Sequence, residues 1–131
     1  MIVDASAVVA FVMKEEGSSI YEPYLFSDTV PLLISAVNWW EVHARIIRHD
    51  QPDATRSLQL FHRGTRLKFA PIDKDQTNAA IEAFRRFGKG RGHPARLNLG
   101  DCFAYALAKT RSEPLLFKGD DFRHTDVRAA L

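Results

Sequence analysis

The sequence predicts an α/β fold in which helices cover both faces of a mainly parallel sheet of four or five strands, a three-layer α/β/α arrangement. Two observations predict it. Apolar runs of strand length recur at Met1-Ile2-Val3, Pro31 to Ser35, Leu67 to Ile72 and Leu115-Leu116-Phe117. Between them lie segments of helical period, so each pair of strands is joined by a crossover, the connection that parallel pairing requires.

Each element has its own signal. Met1-Ile2-Val3 reads as a short buried strand, Asp4-Ala5-Ser6 as a tight turn with Ser6 as N-cap, and Ala7 to Met13 as a helix stopped by Gly17. Ser18 to Phe26 follows as a shorter helix. After the second strand, Ser35 is placed to cap a helix whose apolar stripe is Val37, Trp40, Ala44 and Ile47. Asp50-Gln51-Pro52 ends that helix and opens another, with Ala54, Leu58, Phe61 and Thr65 on one face. Beyond the third strand, Asp73 and Gln76 have capping-box spacing before a helix that points Ala80, Ala83, Phe84 and Phe87 inward. Gly88 to Asn98 reads as a loop, Asn98-Leu99-Gly100-Asp101 opens an alanine-rich helix to Thr110, and the fourth strand follows.

With 131 residues, no internal repeat, no low-complexity stretch and no linker, residues 1–131 are expected to form one domain. Hydrophobic residues at 46% and charged residues at 26% exclude a disordered chain. The formal charge of +2 is too small to make the whole surface attract polyanions, so a nucleic-acid site has to come from local clustering. The single cysteine, Cys102, excludes a disulfide scaffold and a Cys-x-x-Cys zinc pair, and no apolar run is long enough to span a membrane. A cytoplasmic protein is the expectation.

In parallel sheets ligands bind beyond the carboxyl ends of the strands, which directs attention to Asp4 and to Asp120-Asp121. Glu41 projects from or beside the apolar stripe of its helix, and Asp101 sits in the first turn of a nearly apolar one. Singly, each acid has an ordinary explanation: Asp4 caps a helix, Glu41 pairs with Arg45, Asp101 completes a capping box with Asn98, and Asp120 and Asp121 make turn bonds. Together they predict three or four carboxylates converging at one sheet edge, where mutual repulsion is relieved by a divalent cation. An all-oxygen donor set selects magnesium or manganese over zinc. Such an ion suits phosphodiester hydrolysis.

An anionic substrate needs cations, and Arg85, Arg86, Lys89, Arg91 and Arg96 fall within twelve positions with no acid among them. Other templates fail. The glycine-rich stretch lacks phosphate-loop and dinucleotide spacing, the five histidines form no His-Glu-x-x-His, and Ser6 lacks a hydrolase nucleophile elbow. Trp39 and Trp40 can stack bases, but of two adjacent aromatics on a helix one usually belongs to the core and the other to a subunit contact.

Four segments, Met1-Ile2-Val3-Asp4-Ala5-Ser6-Ala7, Asn38-Trp39-Trp40-Glu41-Val42, Leu99 to Ala108 around Asp101, and Leu115-Leu116-Phe117-Lys118-Gly119-Asp120-Asp121-Phe122, occur in the order found in VapC-type PIN-domain toxins, which the chain resembles over nearly its whole length. The resemblance implies a PIN-like domain and a magnesium- or manganese-dependent endoribonuclease. It further implies the toxin of a type II toxin–antitoxin pair, a homodimer inhibited by a VapB-type antitoxin. Carried over by motif, Asp4 and Asp101 are direct metal ligands, Glu41 completes the catalytic pocket, and Ser6 supports Asp4. The sequence departs from the usual pattern at Gly119, where an aspartate commonly stands. Asp121 is then the preferred fourth acid, with Asp120 as the supporting candidate.

Two further readings stand beside this one. The same fold can serve as a catalytically weak module that binds RNA or antitoxin, a reading prompted by Gly119. An aspartyl-phosphate phosphotransferase also places an Asp after its first strand, but that chemistry wants a second acid where this chain has Ser6.

Overall fold

The computed structural model describes residues 1–131. Four strands, β1 (Ile2–Val3), β2 (Leu32–Ser35), β3 (Leu67–Ala70) and β4 (Leu115–Leu116), form one sheet in the order β3-β2-β1-β4, and every pairing is parallel. Ile2 lies in register with Leu33 on one side and Leu115 on the other, so β1 occupies the interior of the sheet.

The pleat sends alternate side chains to opposite faces. Val3, Leu32, Ile34 and Leu116 pack into one core with α1 (Ala5–Val12), α3 (Ala36–His49) and α4 (Pro52–Gly64). Ile2 and Leu115 pack into a second core with α5 (Lys74–Phe87) and α6 (Leu99–Arg111). Two cores separated by a sheet are the three layers expected from the sequence. The segment expected as one short helix is a 3₁₀ turn, Ser18–Tyr21, followed by α2 (Glu22–Leu25). Ala129 adds a single bridge to Leu115 at the β4 edge without making a fifth strand.

Several local expectations need correction. Asp4, not Ser6, is the N-cap of α1, its carboxylate accepting the Ser6 backbone N–H at 2.8 Å. Ser35 takes the N-cap position of α3, but its hydroxyl makes no capping bond. The face that α3 buries is Asn38, Val42 and Ile46, whereas Trp40 and Ile47, expected inward, are each 71% exposed. Val37 and Ala44 of the expected stripe are half-buried, and the buried face is shifted toward Asn38, whose amide is held inward by the Gly100 carbonyl. On α4, Ala54, Leu58 and Phe61 are buried as expected, while Thr65 lies past the end as C-cap. On α5, Ala80, Ala83 and Phe87 are buried but Phe84 is largely exposed. Asp73 caps α5 by accepting the Gln76 N–H, yet Gln76 turns its amide to the Pro71 carbonyl, so only half of the box forms.

Candidate active site

Asp4 begins where β1 ends. Its backbone N–H still donates to the Leu116 carbonyl of β4, while its side chain turns to α1, so sheet and helix together fix its place. Oδ2 accepts the Ser6 N–H at 2.8 Å and the Ser6 hydroxyl at 2.5 Å. Ser6 in turn accepts the Lys118 N–H at 3.0 Å, linking the end of β1 to the segment that leaves β4. Asp4 is only 3% exposed, and this burial raises its pKa against the opposing pull of the Ser6 hydrogen bonds.

Asp101 arrives from the opposite layer. The capping box expected from sequence is complete: Asn98 Oδ1 accepts the Asp101 N–H, and Asp101 Oδ2 accepts the Asn98 N–H, both at 2.9 Å. Burial, then the neighbouring charge of Asp4, with smaller contributions from Glu41 and Asp121, pushes the Asp101 carboxyl up to about 7. Three other carboxylates thus act on one, which is the physical content of convergence.

Glu41 reaches the same centre from α3. Its pKa is raised by burial and then by Asp4, opposed by Arg45, whose Nη2 lies 3.3 Å from Oε1. The other oxygen, Oε2, sits 2.4 Å from where a Cβ on residue 100 would stand, so only a glycine at that position leaves room for the carboxylate. Asn38, fully buried, joins the three elements. Its amide donates to the Gly100 carbonyl at 2.9 Å, with longer contacts of 3.4 Å to Asp4 Oδ1 and 3.5 Å to Glu41 Oε2.

Asp4, Asp101 and Asp121 line a polar cleft of about 360 Å³, together with Ser6, Glu15, Arg45, Asn98, Lys118, Gly119 and Phe122. Glu41 is not itself part of the lining but is tied to Arg45, which is, and to Asn38. Asp121, the first residue of a 3₁₀ turn (Asp121–His124), is exposed. Asp120 is not part of the lining and faces Arg123 at 3.9 Å. A second cleft, about 340 Å³ and almost wholly apolar, lies between α5 and α6 and is lined in part by Ile81, Phe84, Leu99 and the Cys102 thiol. The acids use the polar cleft.

The basic segment is placed differently from the acids: none of its five cations lines the cleft. Arg85 pairs with Glu82, Arg86 lies over the Phe87 ring and 3.8 Å from Asp126, and Lys89, Arg91 and Arg96 are exposed. The cations on the cleft wall are Arg45 and Lys118 instead. Sequence reasoning saw Arg45 only as an ion-pair partner and gave no role to Lys118 or Asn38. The available signals were the spacing of Asn38 three residues before Glu41 and the position of Lys118 just past a strand.

The donor set fits a hard divalent cation. It is oxygen throughout, burial raises all three central carboxyls and neighbouring carboxylate charge raises Glu41 and Asp101 further, and Asp4 and Asp101 each commit Oδ2 to a local hydrogen bond that orients Oδ1. The side chains do not form a closed cage of three or more ligands. Magnesium bound by one or two carboxylates and several waters does not need one.

The model of the PIN domain family matches residues 1–128. The chain belongs to the PIN-domain family. Ribonuclease VapC42 of Mycobacterium tuberculosis is 44% identical over 130 residues, covering 99% of this PIN domain and 98% of the relative. A ribonuclease VapC of Mycolicibacterium smegmatis is 41% identical over 129 residues, covering 98% of each chain. Among solved structures, VapBC2 from Rickettsia felis, bound to a DNA fragment from its promoter, superposes with a TM-score of 0.75 at 14% identity. That match covers 98% of this PIN domain and 94% of the other chain. VapC20 of Mycobacterium tuberculosis, a sarcin-ricin loop cleaving toxin, superposes with a TM-score of 0.72 at 16% identity, covering 96% and 95%. The structural likenesses establish the fold.

Proposed function

We propose that this PIN domain is a metal-dependent endoribonuclease, the toxin of a toxin–antitoxin pair. The observation that carries the reading is the polar cleft lined by Asp4, Asp101 and Asp121, residues of separate segments, with Glu41 tied to Asp4 and Gly100 through Asn38; the raised Asp101 carboxyl agrees with it. Relatives that match nearly end to end and are named VapC ribonucleases support the same reaction.

In this reading Asp4 and Asp101, each oriented by a local hydrogen bond to Oδ2, would hold a magnesium or manganese ion. The ion supplies Lewis-acid stabilisation of the charge that develops on the phosphoryl oxygens. Glu41, whose carboxyl is raised by burial and Asp4 and drawn back in part by Arg45, is positioned by Asn38 to accept a proton from water and orient it. Ser6 holds the Asp4 carboxylate in one rotamer, and Asp121 adds negative charge at the open side of the cleft.

A VapB-type antitoxin is the proposed partner and a homodimer the proposed assembly. Neighbours solved as toxin–antitoxin assemblies support the first, and the exposed Trp40 and Ile47 on one flank of α3 support the second. No helix is long and apolar enough to cross a membrane, and a cytoplasmic location is proposed with the single buried thiol as its support.

The deciding experiment is RNA cleavage by the purified protein after chelation, then with magnesium or manganese restored. Cleavage that returns with the ion and is absent from Asp4→Asn and Asp101→Asn is the expected result; activity retained by both variants overturns the assignment. Gly119 favours a second reading, an RNA- or antitoxin-binding module with little catalysis, because it leaves one wall of the cleft without an acid. Such a module binds RNA equally with and without divalent ions and cleaves under neither condition.

A further inference from the structure

An acidic cleft repels the phosphodiester backbone it is meant to receive, so some cation on its wall has to meet the substrate. The loop from Arg85 to Arg96 does not supply one, because none of its basic residues lines the cleft. Two cations do, Arg45 and Lys118, and their situations differ. Arg45 is the counter-ion of Glu41, whose side chain is only 20% exposed. Transferring Arg45 to a substrate leaves a half-buried carboxylate unpaired beside Asp4, a costly exchange. Lys118 pairs with Glu15, and both side chains are well exposed, at 44% and 39%. Water replaces an exposed partner of that kind at little cost.

The backbone of Lys118 is nevertheless anchored at the site, since its N–H donates to the Ser6 hydroxyl that also holds Asp4. The next residue, Gly119, has φ +98° and no atom within 4 Å of where a Cβ would stand, so the wall beside Lys118 is open. This wall carries a lysine beside a glycine where the resemblance leads one to expect an acid.

From this arrangement we infer that Lys118 is a substrate-binding residue, held by Glu15 in the free protein and transferred to a phosphate of single-stranded RNA next to the bond that is cut. Glu15 is then an intramolecular competitor that occupies the lysine until a phosphate displaces it. The inference rests on the ribonuclease reading and names the contact by which that same cleft takes its substrate.

The test exploits a difference in sign. A fluorescein-labelled single-stranded RNA of mixed sequence is titrated with the Asp101→Asn protein, alone and carrying Lys118→Met or Glu15→Gln, over a series of salt concentrations. Removing the lysine is expected to weaken binding about fivefold, the upper range for an exposed pair of charges, and to lower the salt slope by about 0.7. Removing the competing carboxylate is expected to strengthen binding two- to fivefold or so on the same basis. Thermal melts of the three proteins show whether each variant remains folded, and Lys118→Arg is expected to restore binding. If the ion pair is only a strap between two segments, both substitutions weaken binding alike and Lys118→Arg rescues no affinity beyond stability; that result, or unchanged affinity in folded Lys118→Met, overturns the inference. Failure of the Asp101→Asn protein itself to bind RNA overturns the ribonuclease reading beneath it, a separate outcome.

Discussion

The carboxylate of Glu41 occupies the space that a side chain on Gly100 would need, with Oε2 2.4 Å from the Cβ position. Because the obstructing atom is the far end of a flexible side chain, Gly100→Ala moves Glu41 without breaking the fold. Alanine also favours the helix over glycine by up to about 1 kcal/mol. The variant is expected to melt at or above the parent temperature while RNA cleavage falls roughly a hundredfold, the scale of a displaced catalytic group. Thermal melts and initial cleavage rates check the two halves.

Asp101 carries the strongest conflict between function and stability. In Asp101→Asn the capping geometry survives, because an amide oxygen still accepts the Asn98 N–H, while the repulsion from Asp4, Glu41 and Asp121 disappears. Cleavage is expected to fall on the order of a thousandfold. In chelator at pH 8 the variant melts above the parent. A lower melting temperature under those conditions contradicts the repulsion account.

The pH dependence follows from the same group. The Asp101 carboxyl moves from an ordinary value of 3.8 up to about 7 on folding, and Asp4 and Glu41 are raised as well. Between roughly pH 4 and 7 the folded protein therefore binds more protons than the unfolded chain, so stability contributed by these groups is present at low pH and lost as pH rises through the folded value. In chelator the melting temperature is expected to decline across this window. Magnesium or manganese at pH 8 restores part of the difference, and Asp4→Asn suppresses the metal-dependent shift. Differential scanning fluorimetry over pH, with and without the ion, measures all three effects.

Ser6 bridges Asp4 to the segment after β4 through two hydrogen bonds. Ser6→Ala removes both and leaves the Lys118 N–H without its partner, so a loss of about 1 to 2 kcal/mol is expected by denaturant titration. Cleavage falls about tenfold, because the freed Asp4 carboxylate is less well oriented. Ser6→Thr, which keeps the hydroxyl, recovers most of both.

The strands and their order of use were legible in the sequence because apolar runs such as Leu32-Leu33-Ile34 have few alternatives to burial, and the strand-end rule then pointed to Asp4. The box between Asn98 and Asp101 was legible because its spacing is local. The rotation of α3 was not. Hydrophobic periodicity selected Trp40 and Ile47, but the buried face is organised around Asn38, a polar residue whose place inside depends on Gly100, 62 residues away in the chain. The basic loop was legible as a cluster but not in its placement: closeness in sequence to Asp101 does not put Arg91 or Arg96 on the cleft wall, and Lys118, a single cation beyond β4, carries no pattern.

Cys102 follows Asp101 directly, and its thiol is buried and pushed up to about 11 by that burial and by the adjacent carboxylate. Alkylating reagents attack the thiolate, which is scarce here at neutral pH, and the residue is buried against the apolar cleft between α5 and α6. The rate at which a maleimide labels this position therefore times the moments when the packing around that cleft loosens enough to expose the thiol. That gives a clock for breathing of the catalytic layer, built into the native chain and readable without inserting any foreign dye.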